Sequence, residues 1–562
     1  MEIDSPRRIR NVLLLGTAFL FLARLAFSAI RTGPVVLADE AGYLINAREL
    51  AGGLAGQLEL APFYRGGYSL LIVPLINLSS DQTVVYHLVL ALNAALAASV
   101  FPLLYLLLTR FVGVPPAGAV WAALAGSVYP AVTVLSQASL SENALFPLVC
   151  VWLVAIGGLF ANAERRPAAE IWAIGLGLST TALLAVHGRM IVAVVLAGLV
   201  LLVGLRRNLR LGTCLLAVAV IVAGVIAVQV LNDHLLSQSY GAIAEAEAGD
   251  RVDEIDEGHG PLTAAANLVG QTWYLLVATF GLAAVVVVDA IRRLRRRADL
   301  STPAGLIGPS APEWAAIGLA AALLLVSAAA FPERSRPDML IYGRYVEVIS
   351  PVLIALGLVA LARLGTIRLR PAYPLGFAAL AIAVALIAAS ADDPGDPSRW
   401  NISALPFFSA SLGPATLLAA SLVAAVAAWL LNRVSGRGLA RLGLLAAGLF
   451  AVVAVYGVWN PVVRAERGAY PGDWESPEAI VETEGATTVA YDLDHYDTIG
   501  LYGTQWFMPD SRLVLFHGDR QAPPSPFVLS GAAWARAHPG LDSEPLWRDA
   551  GRDEVLWRIG GP

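Results

Sequence analysis

Adjacent carboxylates stand in the stretch Leu37-Ala38-Asp39-Glu40-Ala41-Gly42-Tyr43-Leu44, directly after the first long apolar run and where a helix begins. Charges at the point where a chain leaves lipid are costly and ask for a role. A carboxylate partly shielded from water suits general-base work on a hydroxyl, and Asp39 is the candidate, with Glu40 extending the pair. The competing role for Asp39 is a helix N-cap, its oxygens accepting backbone N–H groups. Two further stretches place arginine among aromatics: Tyr64-Arg65-Gly66-Gly67-Tyr68-Ser69, where glycines let backbone approach a ligand, and Tyr342-Gly343-Arg344-Tyr345-Val346-Glu347. Guanidinium groups hold phosphate through charge-assisted, bidentate hydrogen bonds and can carry the charge of a departing phosphate. Arg344 and its tyrosines also suit plain interfacial anchoring.

His187-Gly188-Arg189 sits in a connection so short that both side chains stay at the membrane edge. A role at a phosphate or an acceptor competes there with snorkelling toward the interface, which is the favoured reading. In the turn Ser139-Leu140-Ser141-Glu142-Asn143, Glu142 follows the third span and is read as a cap on the following helix with Ser139 or Ser141.

These residues need a scaffold, and the composition says which. The chain has 562 residues, 57% hydrophobic and 14% charged, with a mean hydropathy of +0.67. That describes a polytopic membrane protein, and it offers no basic surface for nucleic acid. There is no lysine, so every one of the 38 cationic side chains is arginine and any phosphate recognition falls to guanidinium groups. Cys150 and Cys214 both lie inside apolar runs, which speaks against a disulfide framework or a thiolate metal site. The first run, near 12-30, follows Arg7, Arg8 and Arg10 but lacks a convincing small-residue cleavage site and is long enough to span.

Apolar runs predict about thirteen spanning helices, near 12-30, 82-108, 115-136, 143-161, 170-186, 190-205, 211-231, 264-290, 313-331, 347-364, 372-390, 413-431 and 440-459. Arg110, Arg165 and Arg166, Arg206, Arg207 and Arg210, the Arg292 to Arg297 cluster, Arg363, Arg368 and Arg370, and Arg433, Arg437 and Arg441 fall in alternate loops. Those loops and the N-terminus are therefore expected to be cytoplasmic, and an odd number of spans puts the C-terminus outside. Segments 31-81, 137-142, 232-263, 332-346 and 391-412 then share the outer face with nearly all the acidic residues. Arg334, Arg336 and Arg344 break the positive-inside trend there, as if to meet an anion. The first outer loop predicts a helix with Leu44, Ile45 and Leu50 on one face and Gly52-Gly53 as its stop, lying in the interface. Leu70 to Leu78 predicts a second interfacial or re-entrant piece.

The expected division is a membrane part over 1-460 and a polar C-terminal part over 461-562, the latter a small α/β or mostly β domain. Its strand-like runs are 487-491, 512-516 and 554-559. Trp474, Trp506, Trp534 and Trp547 could offer stacking faces to a ligand, with core packing the default. The acidic loop with Asp250, Asp253, Glu254, Asp256, Glu257 and His259 offers ligands for a divalent cation but lacks the EF-hand order, so a solvated loop is the preferred reading.

The Asp39-Glu40 pair after the first span, the 64-69 segment, the 139-143 turn and the polar tail together resemble the GT-C class of integral-membrane glycosyltransferases. The likeness is to the branch of aminoarabinose transferases, protein O-mannosyltransferases and actinobacterial arabinofuranosyltransferases. That resemblance covers the architecture of the whole chain and implies a polyprenyl-phosphate sugar as donor, with a glycan, lipid or protein of the cell envelope as acceptor. By position it makes Asp39 the catalytic acidic residue and Arg65 the donor-phosphate ligand, although Arg65 stands where a Lys followed by Pro is usual. Arg344 and Arg189 join it as candidate phosphate ligands, and Tyr43, Tyr64, Glu142, His187, Tyr342 and Tyr345 as candidate substrate contacts. One direct displacement implies inversion at the anomeric carbon. The rival reading is a transporter or flippase of lipid-linked glycan, but transporters place ionisable groups in mid-membrane, whereas here polar residues gather at one face.

Overall fold

The protein is described by a computed structural model covering residues 5–31, 33–35, 37–58, 61–240, 260–298, 311–330, 337–365, 372–389, 399–408, 413–459, 475–496, 498–518, 520–549 and 553–560. The acidic loop 250–259, Arg334, Arg336, Arg368, Arg370 and Trp474 lie outside the described residues.

Helices dominate because in lipid every backbone N–H and C=O must be satisfied within its own segment. Start signals are explicit. Ser5 accepts from the Arg8 amide at the head of Pro6–Ser28, and Asp81 accepts from Thr83 and Val84 at the head of Gln82–Phe111. Proline opens Pro116–Ser127, Pro130–Leu135 and Pro414–Ser435, where its missing N–H costs nothing. Outward faces stay apolar, as with Phe19 at 70% exposure and Val452 at 69%, which suits contact with acyl chains.

Among the described residues nine helices are long and apolar enough to cross a membrane, or eleven when two bent pairs are each counted as one span. The expected thirteen are not reproduced. The run near 115-136 divides at Tyr129-Pro130 into two short helices. The run near 264-290 bends by 97° between Pro261–Ala278 and Leu282–Arg295, with Phe280 and Gly281 both at positive φ (50° and 76°). The third departure is Asp338–Glu347 with Ser350–Leu364, bent by 76°, which carries Arg344. The expected inner-loop arginines partly serve as ties: Arg293 reaches Glu313 at 2.7 Å and Asp289 at 3.0 Å, and Arg363 donates to Val112 O at 3.0 Å.

The segment expected as the first outer loop holds the two predicted helices, Leu37–Leu50 and Gly66–Ile76, with Gly52 at φ 90° ending the first turn region. Neither is merely interfacial: Ala41, Leu44, Ile45 and Ala47 have no exposed surface, so the first packs into the protein core. Gly67 allows the second helix to lie against Val186, since a Cβ there would stand 2.3 Å from the Ala185 carbonyl carbon.

The tail forms a five-stranded sheet in the order β2-β1-β3-β5-β4. Strand β1 (Thr488–Asp492) pairs in parallel with β2 (Arg512–Phe516) and with β3 (Phe527–Ser530). The antiparallel half is β3 with β5 (Glu554–Ile559) and β5 with β4 (Ser543–Asp549). Helix Thr498–Phe507 joins β1 to β2, as a parallel pair requires, so the tail is mixed α/β rather than mostly β. Trp506 and Trp534 are buried and Trp547 is half-buried against the core, which meets the packing default. Helix Thr498–Phe507 also docks on Leu37–Leu50. Arg48 Nη1 donates to Gln505 O at 2.6 Å, and the Gln505 amide exchanges hydrogen bonds with the Gln57 backbone at 2.8 and 2.9 Å.

Candidate functional site

Asp39 is the third residue of helix Leu37–Leu50, inside its first turn, so it is not the N-cap. Its side chain keeps 28% exposure, and its Oδ2 receives Arg344 Nη1 at 2.6 Å while Oδ1 accepts the Tyr64 hydroxyl at 3.2 Å. Arg344 opens the short helix Arg344–Glu347 and uses its other terminal nitrogen on Glu142 Oε2 at 3.2 Å. Glu142, fully buried, takes Arg189 Nη2 on Oε1 at 3.1 Å. Four segments far apart in sequence thus supply one chain of alternating charge, Asp39, Arg344, Glu142, Arg189.

Each member is placed by its local structure. Glu142 begins helix Glu142–Ala161 after Ser141, which makes no side-chain cap bond, so the expected capping role gives way to holding the two arginines. Arg189 sits in the 3-10 turn Gly188–Met190 that separates helices Arg166–Val186 and Ile191–Leu205. It does not snorkel. The guanidinium turns inward, 1% exposed, with its carbon 4.4 Å from the Tyr345 ring centroid. Tyr345 meets His187 and Tyr342 edge-on, at 5.8 and 5.3 Å between centroids.

On the other side of Asp39, Tyr43 packs edge-on against Tyr64 and Tyr68, each at 5.3 Å. Burial lifts the phenols of Tyr43 and Tyr64 above their ordinary range, and the Asp39 charge adds to it, so both stay protonated donors. Half-buried Arg65 donates to Leu184 O at 3.3 Å and runs beside the His187-Gly188 turn, where a Cβ on Gly188 would lie 3.1 Å from its Nε. Burial lowers the Arg65 pKa. Desolvation first, then the neighbouring Arg189, Arg344 and Arg65, hold the His187 imidazole well below its usual range, against the opposing pull of Glu142. It is neutral at pH 7.

The electrostatic sum of this group favours an anion. Two carboxylates (Asp39, Glu142) offset two guanidinium groups (Arg344, Arg189), which leaves Arg65 as one net positive charge. Arg189 Nε and Nη1 and Arg344 Nε are buried without a hydrogen-bond partner among the described residues, which is expensive for charged donors unless something accepts from them.

Glu40 stands apart from this group. Although adjacent to Asp39, it points the other way into the core, fully buried. Its oxygens accept from the Tyr86 hydroxyl and the Ser139 amide, both at 2.6 Å, and from the Val35 amide at 2.8 Å, with Arg31 3.8 Å away. Those bonds tie the start of the Asp39 helix to the turn before Glu142, and they hold Glu40 apart from the Asp39 carboxylate with which it was expected to pair. Sequence reasoning missed Ser139 as an amide donor and Tyr86 as a partner; the one signal was a tyrosine in the first turn of the second apolar run. Among the described residues no three His, Cys, Asp or Glu side chains gather as a metal site. A separate apolar cavity of about 290 Å³ lies between Ala278, Leu405, Ala420 and Phe450 and contains none of the charged residues.

No family model matches the sequence, and no curated protein matches it. Its architecture is similar to that of ArnT from Cupriavidus metallidurans bound to undecaprenyl phosphate, with a TM-score of 0.53 and 16% identity over 97% of this chain and 98% of that one. The apo state of the same ArnT gives 0.52 and 17% over the same shares. The arabinosyltransferase EmbB from Mycobacterium smegmatis matches at a TM-score of 0.42 and 18% identity, over 87% of this chain and 44% of that one. The fold is the GT-C fold, as the sequence led us to expect.

Proposed function

We propose that the chain is a membrane glycosyltransferase that moves a sugar from a polyprenyl-phosphate carrier to a hydroxyl of a cell-envelope glycan, lipid or protein. The observation that carries this reading is the Asp39–Arg344–Glu142–Arg189 chain, with three buried guanidinium N–H positions lacking an acceptor beside an accessible carboxylate. The fold shared with ArnT, a protein crystallised with undecaprenyl phosphate, supports the donor class.

In this reading Arg344, Arg189 and Arg65 hold the donor phosphate, Glu142 orients the first two, and Tyr342 and Tyr345 wall the phosphate side. Asp39 takes the proton of the acceptor hydroxyl as its oxygen bonds to the anomeric carbon. The bond from that carbon to the phosphate oxygen breaks, and the lipid phosphate leaves with its new charge on the guanidinium groups. A single displacement inverts the anomeric centre. Tyr43 and Tyr64 flank the base and His187 the clamp, and Glu40 has no chemical step.

We place the site on the outer face, the N-terminus in the cytoplasm and the tail outside, with 1-460 as membrane part and 461-562 as a unit that helps close the site or bind the acceptor. The hydrogen bonds of Gln505 to Arg48 and Gln57 support that placement, because they put the sheet on the same side as Asp39.

The test is to incubate the purified chain with a panel of polyprenyl-phosphate sugars and an envelope acceptor fraction. One donor is expected to be consumed with release of the lipid phosphate, by the wild type and not by Asp39→Asn. Turnover of none by folded protein removes the reading.

A further inference from the structure

The carboxylate that follows Arg344 by one helical turn is not part of the charge chain described above. Glu347 is fully buried, and among the described residues no cation lies within salt-bridge distance of it. Its oxygens accept from neutral donors: the Tyr274 hydroxyl, Ser403 Oγ at 2.8 Å and the Ala404 amide at 3.0 Å. Burying a carboxyl group this way is expensive, and apolar side chains of similar volume would hold a core together at less cost. Such a group is explained by what it orients.

Three segments meet at it. Tyr274 comes from helix Gly260–Ala278, Ser403 and Ala404 from the outer segment 399–408, and Glu347 from the turn that begins with Arg344. The front of the same turn is pinned as well, since the Gly343 amide donates to Asn401 O at 2.8 Å and Asn401 Nδ2 donates to Asp338 Oδ2 at 2.7 Å. The Tyr274 ring lies flush on Gly343, where a Cβ would stand 2.2 Å from Cε1, so no other residue type fits there without displacing the ring. Gly343 and Glu347 bracket Arg344, and both are bonded to residues 401–404.

We propose that Glu347 is a positioning residue: through Tyr274, Ser403 and Ala404 it sets the turn that aims the Arg344 guanidinium at the donor phosphate. This rests on the reading of Arg344 as a phosphate ligand. Glu347 touches neither Asp39 nor Glu142, and its influence travels along one turn of backbone. A bond lost at its carboxylate lets the turn rotate, and the guanidinium leaves the line between Asp39 and the phosphate.

The experiment is a double-mutant cycle on the full chain in detergent, read as the dissociation constant of undecaprenyl phosphate. Glu347→Gln keeps the shape and replaces one accepting oxygen with an amide donor; it should weaken binding about tenfold in the wild-type background and by less than about twofold in Arg344→Ala. A role in packing alone would give the same loss in both backgrounds, which overturns the proposal, as does wild-type affinity of folded Glu347→Gln. If that variant does not fold, Tyr274→Phe and Ser403→Ala carry the same cycle, each removing one donor. Should Arg344→Ala itself leave binding unchanged, the phosphate assignment falls and this inference with it. A loss in Arg344→Ala without one in Glu347→Gln removes this inference alone.

Discussion

Arg344 Nη1 and Asp39 Oδ2 lie 2.6 Å apart although 305 residues separate them in the chain. The group assigned to the proton and the group assigned to the phosphate are thus bonded to each other. In the proposed reaction a donor phosphate that draws Arg344 toward itself would free the Asp39 oxygen for a hydroxyl, which would make filling of the anion site and readiness of the base one event. This arrangement also keeps a partly exposed carboxylate from standing uncompensated at the membrane edge.

Asp39→Asn preserves shape and the Tyr64 contact but cannot accept a proton. Turnover should fall by about 10²–10⁴-fold, the usual share of a general base, with undecaprenyl phosphate affinity within a few-fold of wild type. Wild-type turnover with a defined donor would reassign the base.

Arg344→Ala removes a charge-assisted contact of about 1.5–3 kcal/mol, so the lipid phosphate should bind about 10–100-fold more weakly. The measurement is a titration of the purified variant, with its melting curve as control. Unchanged affinity returns Arg344 to an anchoring role.

Glu40→Gln separates the two adjacent carboxylates. Its oxygens serve Tyr86, Ser139 and Val35, so this variant should lose about 2–4 kcal/mol of stability while protein that remains folded turns over normally. Thermal unfolding in detergent alongside specific activity checks both halves. A stable Glu40→Gln with no turnover would restore Glu40 to the chemistry.

The depressed His187 fixes the sign of a pH effect. Its ordinary value is 6.5 and its folded value lies well below that, so between the two only the unfolded chain is protonated. Protonation therefore favours unfolding: the contribution is fully present above about pH 6.5 and is lost on acidification, at up to about 1.4 kcal/mol per pH unit. Melting temperatures of wild type and His187→Gln, measured from pH 7.5 down to 5, should diverge below 6.5, with the variant the flatter of the two. Parallel curves would mean that His187 is charged in the folded state.

Much of the site was legible because its residues break rules that the surrounding sequence obeys. Asp39, Arg344 and Glu142 stand out as charges beside apolar runs, and the structure brings them together with Arg189. What residue type does not reveal is direction. Asp39 and Glu40 are neighbours, yet consecutive helical positions face different ways, so one reaches Arg344 and the other Tyr86. Arg189 looked like an interfacial side chain because its short connection hid the fact that Glu142 lies behind it. Buried Arg24, inside the first span, passed unnoticed and donates to Ser127 O at 2.6 Å. Spans were legible as runs but not as straight rods: hydropathy is blind to the positive φ of Phe280 and Gly281 that turns one run through 97°. In the tail, three strands were visible as β-branched or alternating runs, while β3 and β4, with Pro545 and charges in the latter, were not.

Helix Leu37–Leu50 is fastened at its start by the Glu40 bonds and at its end by Arg48 on Gln505. The sheet beyond Gln505 is therefore a handle on the carboxylate. A binder raised against that sheet, never entering the cleft, would have mechanical purchase on Asp39.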